Sequence, residues 1–322
     1  EGQSLSVCLG VCCVPMSSPP EATGESADAP QQQEEAFECG VTPQANGHVD
    51  DYSILDHHRE VRKEVEVQPL VGPVEPLDGL ENEYADNPSF LPKIRALKKQ
   101  YGGIRRVCKD GCCFYRSYLY GLFEWLLRHR SQIDEYINLI TESRKQLEAA
   151  GYTESTVDDF YDEFLDQLKL LRESATGPSE LETTFQDAGV SNSLVVYARF
   201  LTGTHLKLHA PEFEPFLTTH ASIHQYVQTE VDPMWVEAEH VQIIALTSVL
   251  KVPVRIQYID ASDTAEPAPL TFPEGCGADE EAIHLLYRPG HYDVIYTKTT
   301  DNQEGGKMAD GDGQQATNGR QA

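Results

Sequence analysis

The segment from Lys109 to Arg116, written KDGCCFYR, could carry nucleophilic chemistry. It places Cys112 and Cys113 side by side, after Gly111 and before an aromatic run with helical spacing. A thiolate is the reactive form of cysteine, and the unpaired amides and dipole at a helix amino terminus favour negative charge. Gly111 permits a tight turn that leaves amides facing a developing oxyanion. The alternative is a small buried hydrophobe, the commoner role of a cysteine ahead of a helix.

A candidate base lies near the other end of the chain, in the segment YRPGHYD from Tyr287 to Asp293. This pattern predicts that His291 starts a strand directly after a turn. Residues i and i+2 share one face of a strand, so His291 and Asp293 project together. The carboxylate can then support the imidazole, as in a catalytic triad. The alternative, a histidine and an aspartate decorating a hairpin, is left open by spacing alone.

The elements that must position these residues form a helical block followed by strands. Apolar residues at helical spacing predict helices over 89–101, 113–127, 133–150, 155–171, 191–201, 221–230 and 239–250. Gly102 and Gly103 are interpreted as the end of the first helix, with the loop IRRVCKDG leading to the cysteines. Strands are predicted near 254–258, 283–287 and 292–296, the last two joined by a tight hairpin. This order favours an α+β domain.

Charge and composition divide the 322 residues into four regions. We predict a disordered acidic region at 1–50, an amphipathic arm at 51–70, a catalytic domain at 71–298 and a disordered tail at 299–322. Residues 1–90 carry 18 acidic and 3 basic side chains, which argues against a nucleic-acid partner. No apolar window is long enough for a membrane span, so we expect a soluble protein. A monomer is expected as well. The arm is either a helix docked on the core or an element that meets a partner.

The cysteines and histidines bear on compartment and cofactors. Eight cysteines are spread unevenly and form no disulfide framework, which favours the cytoplasm and possible entry into the nucleus. Met16 opens a polar, proline-rich stretch and is interpreted as the native start, with residues 1–15 translated from upstream sequence. Two histidine pairs have i, i+4 spacing but lack a zinc-binding context, namely His205 with His209 and His220 with His224. No metal or cofactor is expected.

The two motifs together resemble the paired signatures of the ovarian-tumour (OTU) cysteine deubiquitinases, and in particular the otubain subfamily, which is peptidase C65-like. The resemblance runs from about Ile54 to Tyr296 and includes the segments EYADNPSFLPKIRALKKQYGGIRRV, LVVYARFLTG and EVDPMWVEAEHVQIIALTSVL. It implies a papain-like α+β fold with a helical subdomain packed on a small, mostly antiparallel β-sheet. It also implies a ubiquitin thioesterase or isopeptidase that prefers chains linked through lysine forty-eight of ubiquitin.

The resemblance assigns roles to individual positions. The matching residues are Cys113 for the nucleophile, His291 for the general base, Asp293 for the acid that orients it, and Asp110, Gly111 and Cys112 for the loop that shapes the oxyanion hole. The oxyanion donors would be backbone amides, including that of Cys113. No cofactor is implied.

One position departs from the family pattern. Cys112 stands where the family commonly has asparagine. If only the backbone of this residue is needed, activity survives, whereas a side-chain hydrogen bond from asparagine would be weakened, because a thiol is a poor donor. An oxidative link between Cys112 and Cys113 is a second hypothesis, although a vicinal disulfide is strained.

The resemblance also supplies a rival function. The region corresponding to the arm contacts ubiquitin or a ubiquitin-conjugating enzyme in related proteins. The alternative hypothesis is therefore a non-catalytic, ubiquitin-binding inhibitor of ubiquitin-conjugating enzymes. Ubiquitin, polyubiquitin chains and ubiquitin-conjugating enzymes are the partners that the resemblance implies.

Overall fold

The computed structural model describes residues 68–173, 176–262, 264, 266–274 and 281–298. The predictions for the acidic region, for most of the arm and for the carboxy-terminal tail fall outside these residues. Within them, no helix combines the length and the apolar composition required to cross a bilayer.

Two strands and two helices precede the cysteine segment, a helical block follows it, and four strands end the domain. The elements before the block are β1 (Val71–Pro76), α1 (Asp78–Glu83), α2 (Leu91–Gln100) and β2 (Tyr101–Val107). The block comprises α3 (Cys113–Arg128), α4 (Ile133–Ala149), α5 (Glu154–Glu173), α6 (Pro178–Gln186), α7 (Ala188–Leu208), the short α8 (Ala210–Phe213) and α9 (Ile223–Tyr226), and α10 (His240–Leu250). The last strands are β3 (Val254–Tyr258), β4 (Ala268–Phe272), β5 (Ile283–Arg288) and β6 (His291–Thr297).

The strands form one sheet in the order β1-β2-β6-β5-β3-β4. Every neighbouring pair is antiparallel except β3 with β5, which is parallel. The predicted hairpin is present, and its register pairs Arg288 with His291. Gly290 adopts a φ of 73°, a left-handed conformation that suits the turn. The predicted α+β class with a mostly antiparallel sheet is confirmed.

Helices cover both faces of the sheet because side chains alternate along each strand. On one face, Leu285 of β5 and Val294 of β6 join the large core built around α3. On the other, the neighbouring Leu286 and Ile295 pack with residues of α1 and α2. Most of α3 is buried, which confirms the prediction of a central helix that begins at Cys113.

The loop predicted after Gly102 and Gly103 is wrong, because both glycines lie inside β2. A Cβ on Gly103 would lie 2.9 Å from Cγ1 of Val74, so the glycine permits β1 to approach closely. The predicted end of the helix is confirmed, since α2 ends at Gln100, but the glycines belong to a closely packed strand and not to a loop. The elements β1, β4, α1, α6 and α8 were not predicted, and α7 ends at Leu208, seven residues beyond its predicted end.

A stability prediction follows from the contact between α3 and β5. A Cβ on Gly121, inside α3, would overlap Cγ2 of Ile283. We expect Gly121→Ala to lower the free energy of unfolding by about 1–3 kcal/mol, because the added methyl group must push α3 away from Ile283 of β5. Gly79→Ala in α1 is the matched control, since the nearest atom would lie 3.9 Å away. Urea unfolding should show no loss for this control, and equal losses in the two variants would contradict the explanation.

Candidate active site

Cys113 is the first residue of α3 and is buried against the beginning of β6. The Tyr292 backbone lies near enough to the sulfur to lower the pKa of the thiol. One turn further along the helix, Ser117 Oγ donates to the Tyr292 carbonyl at 3.3 Å, and the Phe114 ring packs edge-on against the Tyr292 ring. The start of α3 is thus held beside the strand that carries His291 and Asp293.

His291 and Asp293 project together from β6, as the sequence predicts. Nε2 of His291 lies 2.9 Å from Oδ1 of Asp293, and both side chains are buried. Since Nε2 is engaged with the carboxylate, Nδ1 is the nitrogen left to exchange a proton. Nδ1 is buried and has no hydrogen-bond partner among the described residues. The structure therefore brings the predicted base and acid into contact, and Cys113 beside their strand.

Two further groups fix the Asp293 carboxylate. Its Oδ1 also accepts the Val107 amide of β2 at 3.0 Å, and its Oδ2 accepts Nη2 of Arg288 at 2.6 Å. Burial alone would raise the pKa of Asp293, but the hydrogen bond and charge of His291, together with Arg288, hold this pKa below its usual value. The carboxylate thus stays ionised and oriented towards the imidazole.

Burial raises the pKa of the Cys113 thiol to about 12. Nearby carboxylates act in the same direction, Asp110 before Glu237 and Asp293, while the Tyr292 backbone opposes them. In the described contacts no hydrogen bond joins the sulfur to His291. Burial therefore favours a thiol at rest, opposite to the anion that the helix amino terminus predicts, and ionisation of Cys113 must be coupled to a proton acceptor.

The raised pKa predicts slow alkylation of Cys113 in the absence of substrate. Because only the thiolate reacts, the iodoacetamide rate constant should rise about tenfold per pH unit from pH 7 to pH 10 without levelling. Mass spectrometry of a Cys112→Ser variant would localise the modification. A short cysteine peptide is the control, and its rate should level near its ordinary pKa of about 8.5. The same levelling in the protein would contradict a burial-raised pKa.

The loop before Cys113 is fixed by buried polar contacts. Gly111 has a φ of 73°, and a Cβ there would overlap the Trp235 carbonyl, so the turn requires glycine. Asp110 Oδ1 accepts the Cys112 amide at 2.9 Å, and its Oδ2 accepts Nη2 of Arg116 at 2.6 Å. The Cys112 amide is thereby occupied. The described residues give the Cys113 amide no such acceptor.

The Cys112 side chain faces the protein interior. Its sulfur accepts from the Trp235 amide at 3.4 Å and from Nη2 of Arg199 at 3.5 Å, and it lies 3.8 Å from the Met234 sulfur. The Cys113 sulfur instead meets Tyr292. The two neighbouring thiols therefore occupy different surroundings, which gives no support to an oxidative link between them.

A cleft of about 390 Å³ opens beside His291 and Asp293. Its lining includes His291, Asp293, Glu75, Glu83, Arg106, Lys109 and Arg288. Ion pairs link the charged residues along the cleft: Arg106 pairs with Glu75 and Glu83, and Glu83 pairs with Arg288. Part of the His291–Asp293 pair thus faces an open, polar cavity.

The histidine pairs lie elsewhere. The rings of His205 and His209 stack with centroids 4.2 Å apart, and Nδ1 of His209 lies 2.9 Å from the His205 carbonyl. His220 contacts Glu230. In the part of the chain that the structure describes, no three His, Cys, Asp or Glu side chains converge on a possible metal position.

Sequence reasoning missed the three arginines that hold the site, namely Arg116, Arg199 and Arg288. All three are buried, at 0%, 0% and 3% relative exposure. The one available signal was Arg199, a cation inside the apolar helical run LVVYARFLTG, because a charge is rarely buried without partners. The other two stood within the quoted motifs but had no assigned role.

Comparison with known proteins decides the family. The family model described as Peptidase C65 Otubain matches residues 63–297. The chain belongs to the otubain family. Two otubain relatives are the human ubiquitin thioesterase OTUB1, 34% identical over 84% of this chain and 99% of its own length, and an ovarian tumor domain-containing deubiquitinating enzyme 1 from Arabidopsis thaliana, 35% identical over 76% of this chain and 87% of its own.

Solved otubain structures share the fold. A complex titled h/ceOTUB1-ubiquitin aldehyde-UBC13~Ub matches with a TM-score of 0.73 and 32% identity, covering 77% of this chain and 99% of that one. A second, titled h/ceOTUB1-ubiquitin aldehyde-UBCH5B~Ub, matches with a TM-score of 0.72 and 33% identity, covering 77% and 98%. The predicted otubain-like fold is confirmed, and the chain is a cysteine peptidase of this family.

Proposed function

We propose that this otubain is a deubiquitinase that hydrolyses isopeptide bonds at the carboxy terminus of ubiquitin through the Cys113 thiol. The observation that carries the proposal is the buried hydrogen bond between His291 and Asp293, beside the helix terminus where Cys113 lies. A nucleophile, a base and an orienting acid are the groups that acyl transfer requires. Membership of a peptidase family whose named relatives are ubiquitin thioesterases supports the ubiquitin substrate.

The reaction divides into two acyl transfers. The Cys113 thiol passes its proton to Nδ1 of His291 as the sulfur attacks the terminal glycine carbonyl of ubiquitin, and the carbonyl electrons move to oxygen. The Cys113 amide donates to this oxyanion. When the carbon–nitrogen bond breaks, His291 returns the proton to the departing lysine amine. Water, deprotonated by the same imidazole, then attacks the thioester carbonyl. The carbon–sulfur bond breaks, ubiquitin leaves as the carboxylic acid, and His291 returns the proton to the Cys113 sulfur.

Asp293 supports both proton transfers. By accepting from Nε2 it fixes the tautomer of His291 and stabilises the imidazolium that forms. Arg288 keeps the second carboxylate oxygen occupied at 2.6 Å, which prevents the carboxylate from turning away.

We assign the cleft beside His291 to the leaving side of the scissile bond. A departing amine must lie within reach of the protonated imidazole, and His291 lines this cleft. The lysine of the acceptor protein would enter through this open, polar cleft. We extend the proposal to chains linked through lysine forty-eight on the family resemblance.

Cleavage of the eight di-ubiquitin linkages tests activity and linkage together. The wild-type protein should cleave di-ubiquitin and form a covalent adduct with a ubiquitin probe bearing an electrophilic terminus. The lysine-forty-eight dimer should be cleaved faster than the other dimers. A folded protein that neither cleaves any dimer nor reacts with the probe would sink the deubiquitinase proposal, while equal rates on all linkages would remove only the preference.

A second function, restraint of ubiquitin-conjugating enzymes without cleavage, is favoured by one observation. The two solved relatives described above carry UBC13~Ub or UBCH5B~Ub in their titles. A Cys113→Ser variant should still slow conjugation by a charged conjugating enzyme, whereas deletion of residues 1–67 should abolish this inhibition and leave cleavage intact. The deletion stops there because the Leu70 carbonyl accepts the Cys108 amide at 3.0 Å, near the site. Inhibition that needs Cys113 would argue against this function.

A further inference from the structure

Arg199 of α7 connects two segments that flank the nucleophile. The residue is fully buried. Its Nη1 donates to the Val231 carbonyl at 2.9 Å, and its Nη2 donates to the Val236 carbonyl at 2.6 Å and to the Gly111 carbonyl at 3.2 Å. One guanidinium thus ties both ends of the segment 231–236 to the turn that precedes Cys113.

The contact with Gly111 fixes a peptide plane. The Gly111 carbonyl is held by Arg199, and the amide on the other side of the same peptide, that of Cys112, is held by Asp110 Oδ1 at 2.9 Å. A peptide that is engaged at both its oxygen and its nitrogen cannot rotate without breaking a buried hydrogen bond. The next amide along the chain is that of Cys113, and φ of −108° and ψ of 5° at Cys112 relate its peptide to this plane. The Cys112 carbonyl accepts the Arg116 amide at 2.9 Å, so the direction of the Cys113 amide is set by the Gly111–Cys112 plane together with the first turn of α3.

The two segments are also in close contact around Arg199. A Cβ on Gly111 would overlap the Trp235 carbonyl. The Trp235 amide donates to the Cys112 sulfur at 3.4 Å. The guanidinium carbon stands 4.4 Å from the centre of the Tyr115 ring. In the described residues no carboxylate lies within ion-pair distance of Arg199, and carbonyl oxygens and the aromatic face surround its charge.

We propose that Arg199 is the positioning residue of the oxyanion hole: it holds the Gly111–Cys112 peptide so that the Cys113 amide points at the oxyanion. The inference rests on the proposed function, since the oxyanion is that of the ubiquitin thioester reaction. Arg199 touches no reacting atom. It should therefore affect the stabilisation of the transition state and leave the binding of ubiquitin unchanged.

The test compares Arg199→Met and Arg199→Lys with the wild-type protein. For Arg199→Met we expect kcat on lysine-forty-eight-linked di-ubiquitin to fall about 10²-fold with KM unchanged, the size of the loss of one oxyanion donor. Affinity for ubiquitin aldehyde should fall by a similar factor, because addition of the Cys113 sulfur to the aldehyde carbon places its oxygen where the oxyanion forms. A lysine ammonium can reach only some of the three carbonyl oxygens that Arg199 contacts, so Arg199→Lys should give an intermediate loss of kcat and of aldehyde affinity.

Arg105→Met is the matched control for a structural effect. Arg105 is also buried, its guanidinium carbon stands 4.6 Å from the Tyr120 ring centre, and it donates to the Gly72 carbonyl. It has no contact with the Gly111 turn in the described structure. After correction for the folded fraction, Arg105→Met should retain kcat and aldehyde affinity within about twofold of wild type, because its contacts lie away from the reacting atoms.

The outcomes separate the inference from the function. Suppose that the wild-type protein is active. If the Arg199 variants then lose no more kcat than Arg105→Met, or if only their KM changes, the role of Arg199 alone would be overturned. A wild-type protein inactive on every ubiquitin substrate would overturn the proposed function and this inference with it. Should Arg199→Met fail to fold, Arg199→Lys decides, and an unchanged kcat and aldehyde affinity in that variant would refute the proposal.

Discussion

Replacement of Cys113 by serine is expected to lower kcat for ubiquitin isopeptide hydrolysis by about 10⁴-fold or more, the range seen when a catalytic nucleophile is removed. A serine hydroxyl is far less acidic than a thiol, and burial beside Asp110 and Asp293 already disfavours an anion at this position. The variant should fail to form an adduct with the electrophilic ubiquitin probe. Adduct formation followed by mass and di-ubiquitin cleavage followed by gel are the two measurements.

Cys112→Ser is the control for this prediction, since the two cysteines are neighbours in sequence. The Cys112 sulfur faces Arg199 and the Trp235 amide, and a serine oxygen can accept from both donors. We expect its kcat to stay within about tenfold of wild type, because a single neutral hydrogen bond contributes on the order of 1 kcal/mol. A Cys112→Ser variant that loses the adduct while Cys113→Ser keeps it would reverse the assignment of the nucleophile.

Replacement of Asp293 by asparagine is expected to lower kcat by about 10³–10⁴-fold, as in other triads that lose their acid. If the asparagine oxygen accepts from His291 and Val107, its amide nitrogen opposes the donor Nη2 of Arg288. If the side chain turns over, it donates to His291 and imposes the wrong tautomer. Both arrangements damage catalysis, so steady-state kinetics should show a loss in kcat with a smaller change in KM.

Glu83→Gln is the matched control for the carboxylate change. Glu83 accepts from Nη1 of Arg288 at 3.1 Å, but its side chain is 43% exposed and does not touch His291. Because exposed ion pairs contribute roughly 0–1 kcal/mol, kcat should change by less than about fivefold. If kcat falls as much in Glu83→Gln as in Asp293→Asn, the ion pairs of Glu83 with Arg288 and Arg106, and not the His291–Asp293 hydrogen bond, would govern activity.

The lowered pKa of Asp293 adds a pH dependence to the same comparison. Its pKa in the folded protein lies below the ordinary value of about 3.9, so the stabilising contribution is fully present above that value. The contribution is lost as the pH falls through the folded pKa. The difference in free energy of unfolding between wild type and Asp293→Asn should therefore narrow below about pH 4, and a difference that widens in acid would contradict the direction of the shift.

Local patterns determined much of the fold. Helical spacing located α3 through α5 and α10 because their apolar faces are broad and continuous. Alternation and the Arg288-Pro289-Gly290 turn located the hairpin of β5 and β6. The strand β2 was missed because Gly102 and Gly103 are weak strand formers, and their presence is explained only by the approach of β1 and β6. Localisation and the monomeric state stay predictions.

The sequence by itself identified the candidate chemical groups: a cysteine at a helix start, and a histidine and an aspartate two positions apart on a strand. These are properties of short segments, so local geometry was sufficient. Only the tertiary structure decided that Arg288 holds Asp293, that Arg199 and Asp110 fix the Gly111–Cys112 peptide, and that the Cys113 thiol is neutral at rest. The contact of Arg199 with Gly111 spans 88 positions and the neutral thiol depends on burial, so neither is encoded in the spacing of a motif. The Arg288–Asp293 and Asp110–Cys112 contacts span only 5 and 2 positions, but both are buried by the tertiary packing.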